Sequence, residues 1–244
     1  MVSYIFDVDG TLTPARLPID PIFKDYFLKW IQDKDVYLIS GSDYKKTVEQ
    51  VGTSVVHAVS CSFNTMANVC YKKGKITYQQ DWNPPKKMLD LLNSWLKSDK
   101  FEIRAGRHIE HRIGMINFSI VGRNCTRAQR KEYNDYDNKN QDRARYCKEL
   151  MKKFPDMEAS VGGQISIDIY PKGHNKGQVV NHIPSPIYFF GDKTMPGGND
   201  YDLAKILINN PPNRVIQVQD WKETWKILKE IESKKKIYEE IFES

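Results

Sequence analysis

Two short apolar runs, far apart in the chain, each end on an aspartate: "YIFD" at Tyr4–Asp7 and "YFFGD" at Tyr188–Asp192. Runs this short and this rich in aromatic and β-branched residues read as strands buried on both faces. Carboxylates that close such strands belong beyond the carboxyl edge of a parallel sheet, where open α/β sheets bind ligands. The spacing predicts four such strands, Ser3–Phe6, Val36–Ile39, Ile187–Phe190 and Val215–Val218. Helical patterns lie between some of them. "DPIFKDYFLKWIQ" sets Ile22, Phe23, Phe27, Trp30 and Ile31 at helical spacing, and "DYDLAKILINN" and "WKETWKILKEIES" repeat the pattern late in the chain. The expected fold class is α/β, with a doubly wound, Rossmann-like core on a parallel sheet built from both chain ends.

The middle of the chain follows another pattern. Pro84-Pro85 marks a break. From about Lys86 a helix, alternating strands, a polar helix and further strands follow one another. In "GQISIDIYP", Ile165, Ile167 and Ile169 face one way while Ser166, Asp168 and Tyr170 face the other. That alternation predicts an antiparallel sheet with one open face. The expected organisation is a core of residues 1–82 and 175–244 with an α+β cap domain, residues 83–174, inserted between them.

Composition narrows the function classes. The chain has 244 residues, an ordinary apolar share and a net charge of +6, so it can bury a core and suits an anionic partner. Its four cysteines, Cys61, Cys70, Cys125 and Cys147, show no CxxC spacing. They read as reduced structural thiols of a cytosolic protein, with no zinc site expected. The first strand begins almost at Met1, which leaves no room for a signal peptide. No apolar run reaches the ~20 residues of a membrane span. The expected location is cytoplasmic, with no membrane partner. The run "ESKKKIYEE" reads as a solvated helix face or a fraying tail.

The chemistry-bearing residues gather at strand ends. Asp7 and Asp9 lie two apart, so their carboxylates can converge beyond the strand, with Gly10 and Thr11 making a sharp turn. Like charges this close call for a cation or a shared proton, and Mg²⁺ favours carboxylate oxygen together with substrate phosphate. "DVD" alone is equally an aspartate-rich turn. Ser40 closes the second buried run in "YLISGSD"; its hydroxyl and the following amides can hold a phosphoryl oxygen, or the turn simply caps a helix at Asp43. Lys176 in "PKGHNKG" can neutralise a phosphorylated aspartate or merely be solvated. Asp192 closes the late aromatic strand, and a glycine loop runs on to Asn199 and Asp200.

"DxDGT" after an apolar strand resembles the nucleophile motif of the haloacid dehalogenase superfamily of phosphotransferases. "FDVDGTLTPAR", "GMINFSIVGRNC", "GGQISIDIYP" and the ten-residue "GDKTMPGGND" together resemble the eukaryotic-type phosphomannomutases, over about Ser3 to Ala204. The resemblance implies that Asp7 is the nucleophile, that Asp9 is the general acid and base, and that Ser40 and Lys176 grip the transferring phosphoryl group. It implies Mg²⁺ held by Asp7, the backbone carbonyl of Asp9, and Asp192, with Asn199 and Asp200 in the supporting loop. Arg16 matches the family's substrate arginine, Arg112, Arg123 and Arg130 its insert-domain arginines, and Ser166 and Asp168 the pair that touches sugar hydroxyls. A hexose 1,6-bisphosphate activator and a homodimer through the inserted segment are implied as well.

Between Phe101 and Lys131 seven arginines and lysines face two glutamates. Arg127 and Lys131 fit ordinary helix pairing; Arg112, Arg123 and Arg130 fit a second phosphate, which a mutase must hold while the first reacts. The expected function is interconversion of mannose 6-phosphate and mannose 1-phosphate, which supplies mannose 1-phosphate for GDP-mannose synthesis. A Mg-dependent sugar-phosphate phosphatase fits the core motifs equally, but does not need the arginine trio. A basic nucleic-acid-binding module fits the charge alone; no RNA or DNA motif occurs, and no nucleic-acid partner is expected. The sequence departs from the family in two places. The usual Glu-Asn-Gly stretch is absent from "SCSFNTMANVCY", and Ile206 stands where a second, structural cation would need an acid. The helix Trp221 to Phe242 is expected to be longer than the family's and to pack on the core.

Overall fold

The structure, a computed structural model, describes residues 2–242, and the side chains beyond Lys234 lie outside the described residues. The amino-terminal part runs β1 (Ser3–Asp7), α1 (Pro21–Trp30), β2 (Asp35–Ile39), α2 (Tyr44–Val51), α3 (Thr53–Ala58), β3 (Cys61–Asn64), β4 (Val69–Lys72) and β5 (Lys75–Gln79). The middle part is α4 (Lys86–Ser98), β6 (Ile109–Arg112), β7 (Met115–Phe118), α5 (Arg127–Asn140), α6 (Asp142–Lys153), β8 (Met157–Gly162) and β9 (Ser166–Pro171). A 3-10 helix (Lys176–Asn181), β10 (Ile187–Gly191), α7 (Tyr201–Ile208), β11 (Arg214–Gln217) and α8 (Trp221–Phe242) follow.

One seven-stranded sheet has the order β11-β10-β1-β2-β3-β4-β5. Its strands are parallel from β11 through β3, while β4 and β5 return antiparallel at one edge. The alternation of the strands divides the core. Phe6, Val36, Leu38 and Phe190 pack against α1, α2, α3 and α8 through Phe23, Phe27, Val51, Val55 and Leu228. Ile5, Ile39, Phe63, Ile187 and Phe189 face the opposite layer, where Val179, Leu203 and Leu207 cover them. Helices on both faces make the expected doubly wound arrangement; three of the four predicted runs are buried strands, while the fourth, β11, is an edge strand whose residues are exposed or half-buried. Helix α1 starts where Pro21 follows Asp20, whose side chain accepts from the amides of Ile22 and Phe23. Of the apolar positions expected to face inward on α1, Ile22 is 69 % exposed and points out. Helix α8 packs as expected, with Trp221, Trp225 and Leu228 on the first layer.

The second sheet is antiparallel, in the order β6-β7-β9-β8. Helices α4, α5 and α6 cover one of its faces, where Met88, Leu92, Trp95, Ile116, Phe118, Tyr133, Leu150, Ile165, Ile167 and Ile169 form a separate apolar cluster. The other face is not open to solvent, contrary to the expectation from its polarity. Ser166, Asp168 and Tyr170 are all buried. Met115 and Tyr170 meet Met66 from the first sheet's side, and the polar residues between them turn toward the end of that sheet. The polar face lines an internal cavity, and polarity in the sequence does not distinguish that from solvent.

Two further departures concern β3 and β4. Cys61 and Cys70 are joined in a disulfide. The expectation of reduced thiols therefore holds only for Cys125 and Cys147; a pairing created by a hairpin leaves no spacing signature. Where the Glu-Asn-Gly stretch is missing, Thr65, Met66 and Ala67 all adopt left-handed φ, at 49°, 61° and 66°. Each such residue costs about 1–2 kcal/mol relative to a right-handed one, and the turn is held by bonds from its amides to the carbonyls of Ser42 and Ser40, at 3.0 and 3.1 Å.

The segment behind the polar face of the second sheet hinges on one buried ion pair. Arg143 donates from its backbone amide and Nε to the two oxygens of Asp137, at 2.9 and 2.7 Å, and reaches the carbonyls of Gly163 and Ser166 with Nη1. The pair thus ties the α5–α6 corner to the β8–β9 turn. Arg143→Ala leaves Asp137 buried without its partner and should lower unfolding stability by about 3–5 kcal/mol, measured by urea unfolding of the full chain. A loss under about 1 kcal/mol would show that water or another group takes over from the guanidinium.

Candidate active site

The cavity lies between the carboxyl end of the seven-stranded sheet and the polar face of the four-stranded one, with a volume of about 280 Å³. Asp7, Asp9, Arg16, Ser40, Arg112, Arg123, Arg130, Ser166, Asp168, Asp192 and Asn199 all line it. Of the other residues singled out in the sequence, Lys176 and Asp200 stand directly behind the lining, with Lys176 bonded to both Asp7 and Asp200.

Lys176, the first residue of the 3-10 helix, has no exposed surface. Its ammonium lies 2.6 Å from Asp7 Oδ1 and 2.7 Å from Asp200 Oδ1. A solvated lysine, the alternative open in the sequence, is ruled out by this burial. Thr11 Oγ1 approaches the other oxygen of Asp7 at 3.5 Å. Burial raises the Asp7 carboxyl well above the usual carboxylate range; Lys176 opposes that rise, and Asp200 and Asp192 add to it. Burial likewise pushes Asp192 up to about 6, with Lys193 opposing and Asp200 reinforcing.

Asp7, Asp192 and Asp200 bring ligand oxygens within 4.8 Å of one another. Lys176 pairs with two of the three carboxylates and Lys193 reaches the third only at 3.9 Å, and Asp192 Oδ1 is buried without a hydrogen-bond partner. An oxygen-only donor set with an unused buried oxygen fits a divalent cation such as Mg²⁺. Gly10 is needed beside it: its φ is +86°, and a side chain there would collide with the Asp192 carboxylate.

Asp9 is not part of this acidic cluster. Its Oδ1 accepts from the Arg16 amide at 2.5 Å and from Gln50 Nε2 at 2.8 Å. The side chain that completes the cluster is Asp200, assigned in the sequence to a supporting loop. Any ligand that Asp9 offers the cluster is its backbone carbonyl, as the resemblance implies. Ser40 is buried and its hydroxyl accepts from the Ser42 amide at 3.0 Å. Asp43 caps α2 by accepting from the Lys46 amide, as the capping reading of "SGSD" expects.

The opposite wall is cationic. Arg112 reaches across to the Gly41 carbonyl with Nη1 at 2.9 Å, and Arg123 donates from Nη1 to Ser166 Oγ at 2.9 Å. Burial loosens the protons of Arg16, Arg123 and Arg130; Arg130 and Arg112 add to this at Arg16, Arg112 and Arg16 at Arg123, and Arg123 at Arg130. Guanidiniums crowded into mutual repulsion form a site prepared for anionic charge. Lys131 instead pairs with Asp135 one helical turn on, as ordinary surface charge. Asp168 Oδ1 accepts from Asn117 Nδ2 at 2.7 Å, across a register pair of β7 and β9.

Thr11, Gln50 and Asn117 border the site, and Glu110 stands behind its arginines, without standing out in the sequence as site residues. Gln50 sits on a helix face with no motif around it. Asn117 and Glu110 carry a usable signal, since each stands two residues along a strand from a residue of the same face: Asn117 from Met115, Glu110 from Arg112.

Comparison with known proteins agrees with this geometry. The family model described as eukaryotic phosphomannomutase matches residues 23–234. The phosphomannomutase of Saccharomyces cerevisiae is 37 % identical, over 82 % of this chain and 83 % of its own. That of Drosophila melanogaster is 33 % identical, over 94 % and 95 %. Among solved structures, the IMP-nucleotidase of Plasmodium falciparum in an IMP-bound form superposes with a TM-score of 0.62 at 15 % identity, covering 95 % of this chain and 68 % of that one. The trehalose-6-phosphate phosphatase C-terminal domain of C. albicans gives 0.58 at 16 %, covering 93 % and 90 %. These two likenesses concern the fold alone. The match of sequence over most of its length, on a chain whose acidic strand ends and arginines share one cavity, means that the chain belongs to the eukaryotic phosphomannomutase family.

Proposed function

We propose that the chain interconverts mannose 6-phosphate and mannose 1-phosphate through an aspartyl-phosphate on Asp7 and a hexose 1,6-bisphosphate that also serves as activator. The observation that carries this reading is the facing of two differently charged walls across one cavity: the Asp7–Lys176–Asp200 group on one side, and Arg16, Arg112, Arg123 and Arg130 on the other. A simple monoester phosphatase needs only the first wall. A mutase needs a second anion grip while the first phosphate reacts, and arginine forks suit it.

In this reading Asp7 Oδ2, the oxygen not bonded to Lys176, attacks phosphorus and the sugar oxygen leaves. Asp9 gives that oxygen its proton and takes it back in the reverse transfer, with its carboxyl held by Gln50 and the Arg16 amide. Lys176 and Ser40 steady the phosphoryl oxygens, which is mostly a matter of position and charge. Asp7, Asp192 and the backbone carbonyl of Asp9 would hold Mg²⁺, with Asp200 in reach, and the cation supplies neutralisation of the negative charge gathered there. Ser166 and Asp168 read the sugar hydroxyls. The segment 83–174 acts as a cap that excludes water, so that the phospho-aspartate meets the sugar before it is hydrolysed. Among the described residues no helix is long and apolar enough to cross a membrane. Family resemblance supports a cytoplasmic location and a homodimer through the cap.

A coupled assay on mannose 1-phosphate and glucose 1-phosphate, with and without bisphosphate, tests the reading. Release of free phosphate with no hexose 6-phosphate would overturn it in favour of a phosphatase. Asp7→Asn should abolish turnover on every substrate while the fold, checked by thermal melting, persists. Chelation should remove activity and added Mg²⁺ restore it; full activity after exhaustive chelation would contradict the acidic cluster's assigned role. Arg123→Ala should cut kcat/KM for isomerisation about 10- to 100-fold, the worth of a charged hydrogen bond, and leave hydrolysis of a small aryl phosphate nearly unchanged. Equal losses on both substrates would count against a distal-phosphate role.

A further inference from the structure

The only carboxylate in direct ion-pair contact with the arginine wall, among the described residues, belongs to Glu110. It stands two residues before Arg112 on β6, so both side chains leave the same face of the strand. Glu110 Oε1 accepts from Arg112 Nε at 2.7 Å and faces its Nη2 at 2.6 Å, closing one edge of the guanidinium. Glu110 Oε2 lies 3.4 Å from Arg123 Nε, which has no hydrogen-bond partner of its own. Glu110 does not line the cavity; it borders the groove on the other side of Arg112.

We infer that Glu110 is a positioning residue: one carboxylate braces Arg112 and Arg123 from behind and turns their Nη ends toward the substrate's distal phosphate. The inference rests on the proposed mutase reading and adds a residue to it. Arg112 is then fixed at both ends, by Glu110 on its own strand and by the Gly41 carbonyl across the cavity. Arg123 is fixed by Ser166 at Nη1 and steered by Glu110 at Nε. Each guanidinium keeps unused N–H donors, since it carries five, and those are the ones available to phosphate. The carboxylate also supplies negative charge beside a repelling pair: Arg112 and Arg16 both bear on Arg123, and Glu110 opposes them. Its own proton affinity is lowered on balance: burial raises it, and Arg112 and Arg123 outweigh that rise. A fork braced in advance loses less freedom on binding than one that must be collected by the ligand.

The test compares wild type, Glu110→Gln and Glu110→Ala in the full chain, after thermal melts confirm folding. Calorimetry with glucose 1,6-bisphosphate reads the grip directly, and assays read isomerisation of mannose 1-phosphate against hydrolysis of p-nitrophenyl phosphate. The brace predicts about tenfold weaker bisphosphate binding in Glu110→Gln and more in Glu110→Ala, in keeping with a charge-assisted bond. It predicts a similarly raised KM for isomerisation, a kcat within about threefold, and hydrolysis of the aryl phosphate unchanged. Tighter or equal bisphosphate binding in the variants would overturn it, since a carboxylate that only dilutes positive charge improves anion affinity when removed. Equal losses on both substrates would also overturn it, as a general structural defect. If wild type binds the bisphosphate but does not isomerise, the mutase reading fails and the binding comparison still decides the role of Glu110.

Discussion

Everything at this site depends on an ammonium group without access to water. Lys176 is fully buried, and it stays charged because two carboxylates, Asp7 and Asp200, meet it at hydrogen-bond distance. That contact joins the end of β1, the first residue of the 3-10 helix and the residue that precedes α7. It also leaves the site short of positive charge. Asp192 adds a third carboxylate whose Oδ1 has no partner, and this imbalance is what a divalent cation would relieve. Asp7 itself is held by a charged hydrogen bond at one oxygen, with Thr11 Oγ1 3.5 Å from the other.

The same cavity carries opposite charge on its far side. The four arginines come from places unrelated in sequence: Arg16 follows the first motif in a left-handed conformation with φ 62°, Arg112 ends β6, Arg123 lies in the loop before α5, and Arg130 is on α5. They converge because the polar face of the second sheet is turned to the carboxyl end of the first. Met66, Met115 and Tyr170 supply a small apolar contact beside the polar space. Met66 presents itself there because Thr65, Met66 and Ala67 make a left-handed turn, and the bonds of that turn to Ser40 and Ser42 couple it to the loop after β2.

Much of this is legible in the sequence, and the limits have physical causes. The paired acidic strand ends are visible because a carboxylate that closes a buried apolar run is costly unless a partner awaits it, and Asp7 and Asp192 do meet. Alternation places the isoleucines of β9 correctly. It does not settle the fate of the other face, because a residue that lines a wet internal cavity and one that faces solvent have the same composition. Lys176 is reached only through resemblance; nothing local distinguishes a buried lysine from the many exposed ones. Asp200 reads as a minor loop residue, since its partner lies 24 residues away. The Cys61–Cys70 bond is invisible because a hairpin, and not a motif, brings the sulfurs together. Glu110 is hidden because its value lies in what stands in front of it, two arginines, and one strand's pattern shows only one of them.

The Lys176–Asp7 contact spans 169 residues of chain. Synthesis delivers Asp7 in the first few residues and its counter-charge, Lys176, only after the whole second sheet has been made. A nascent chain that has emerged as far as β9 therefore carries Asp7, Asp9, Ser40 and all four arginines, but neither the lysine nor Asp192 and Asp200. Such an intermediate has the arginines of one wall and only part of the acidic wall that they face. The acidic cluster and its lysine come together only with the last stretch of the polypeptide, so addition of β10 to the parallel sheet and assembly of that cluster go together. In a doubly wound core split by an insertion, the order in which the strands are joined thus decides when the acidic cluster and its lysine can first meet.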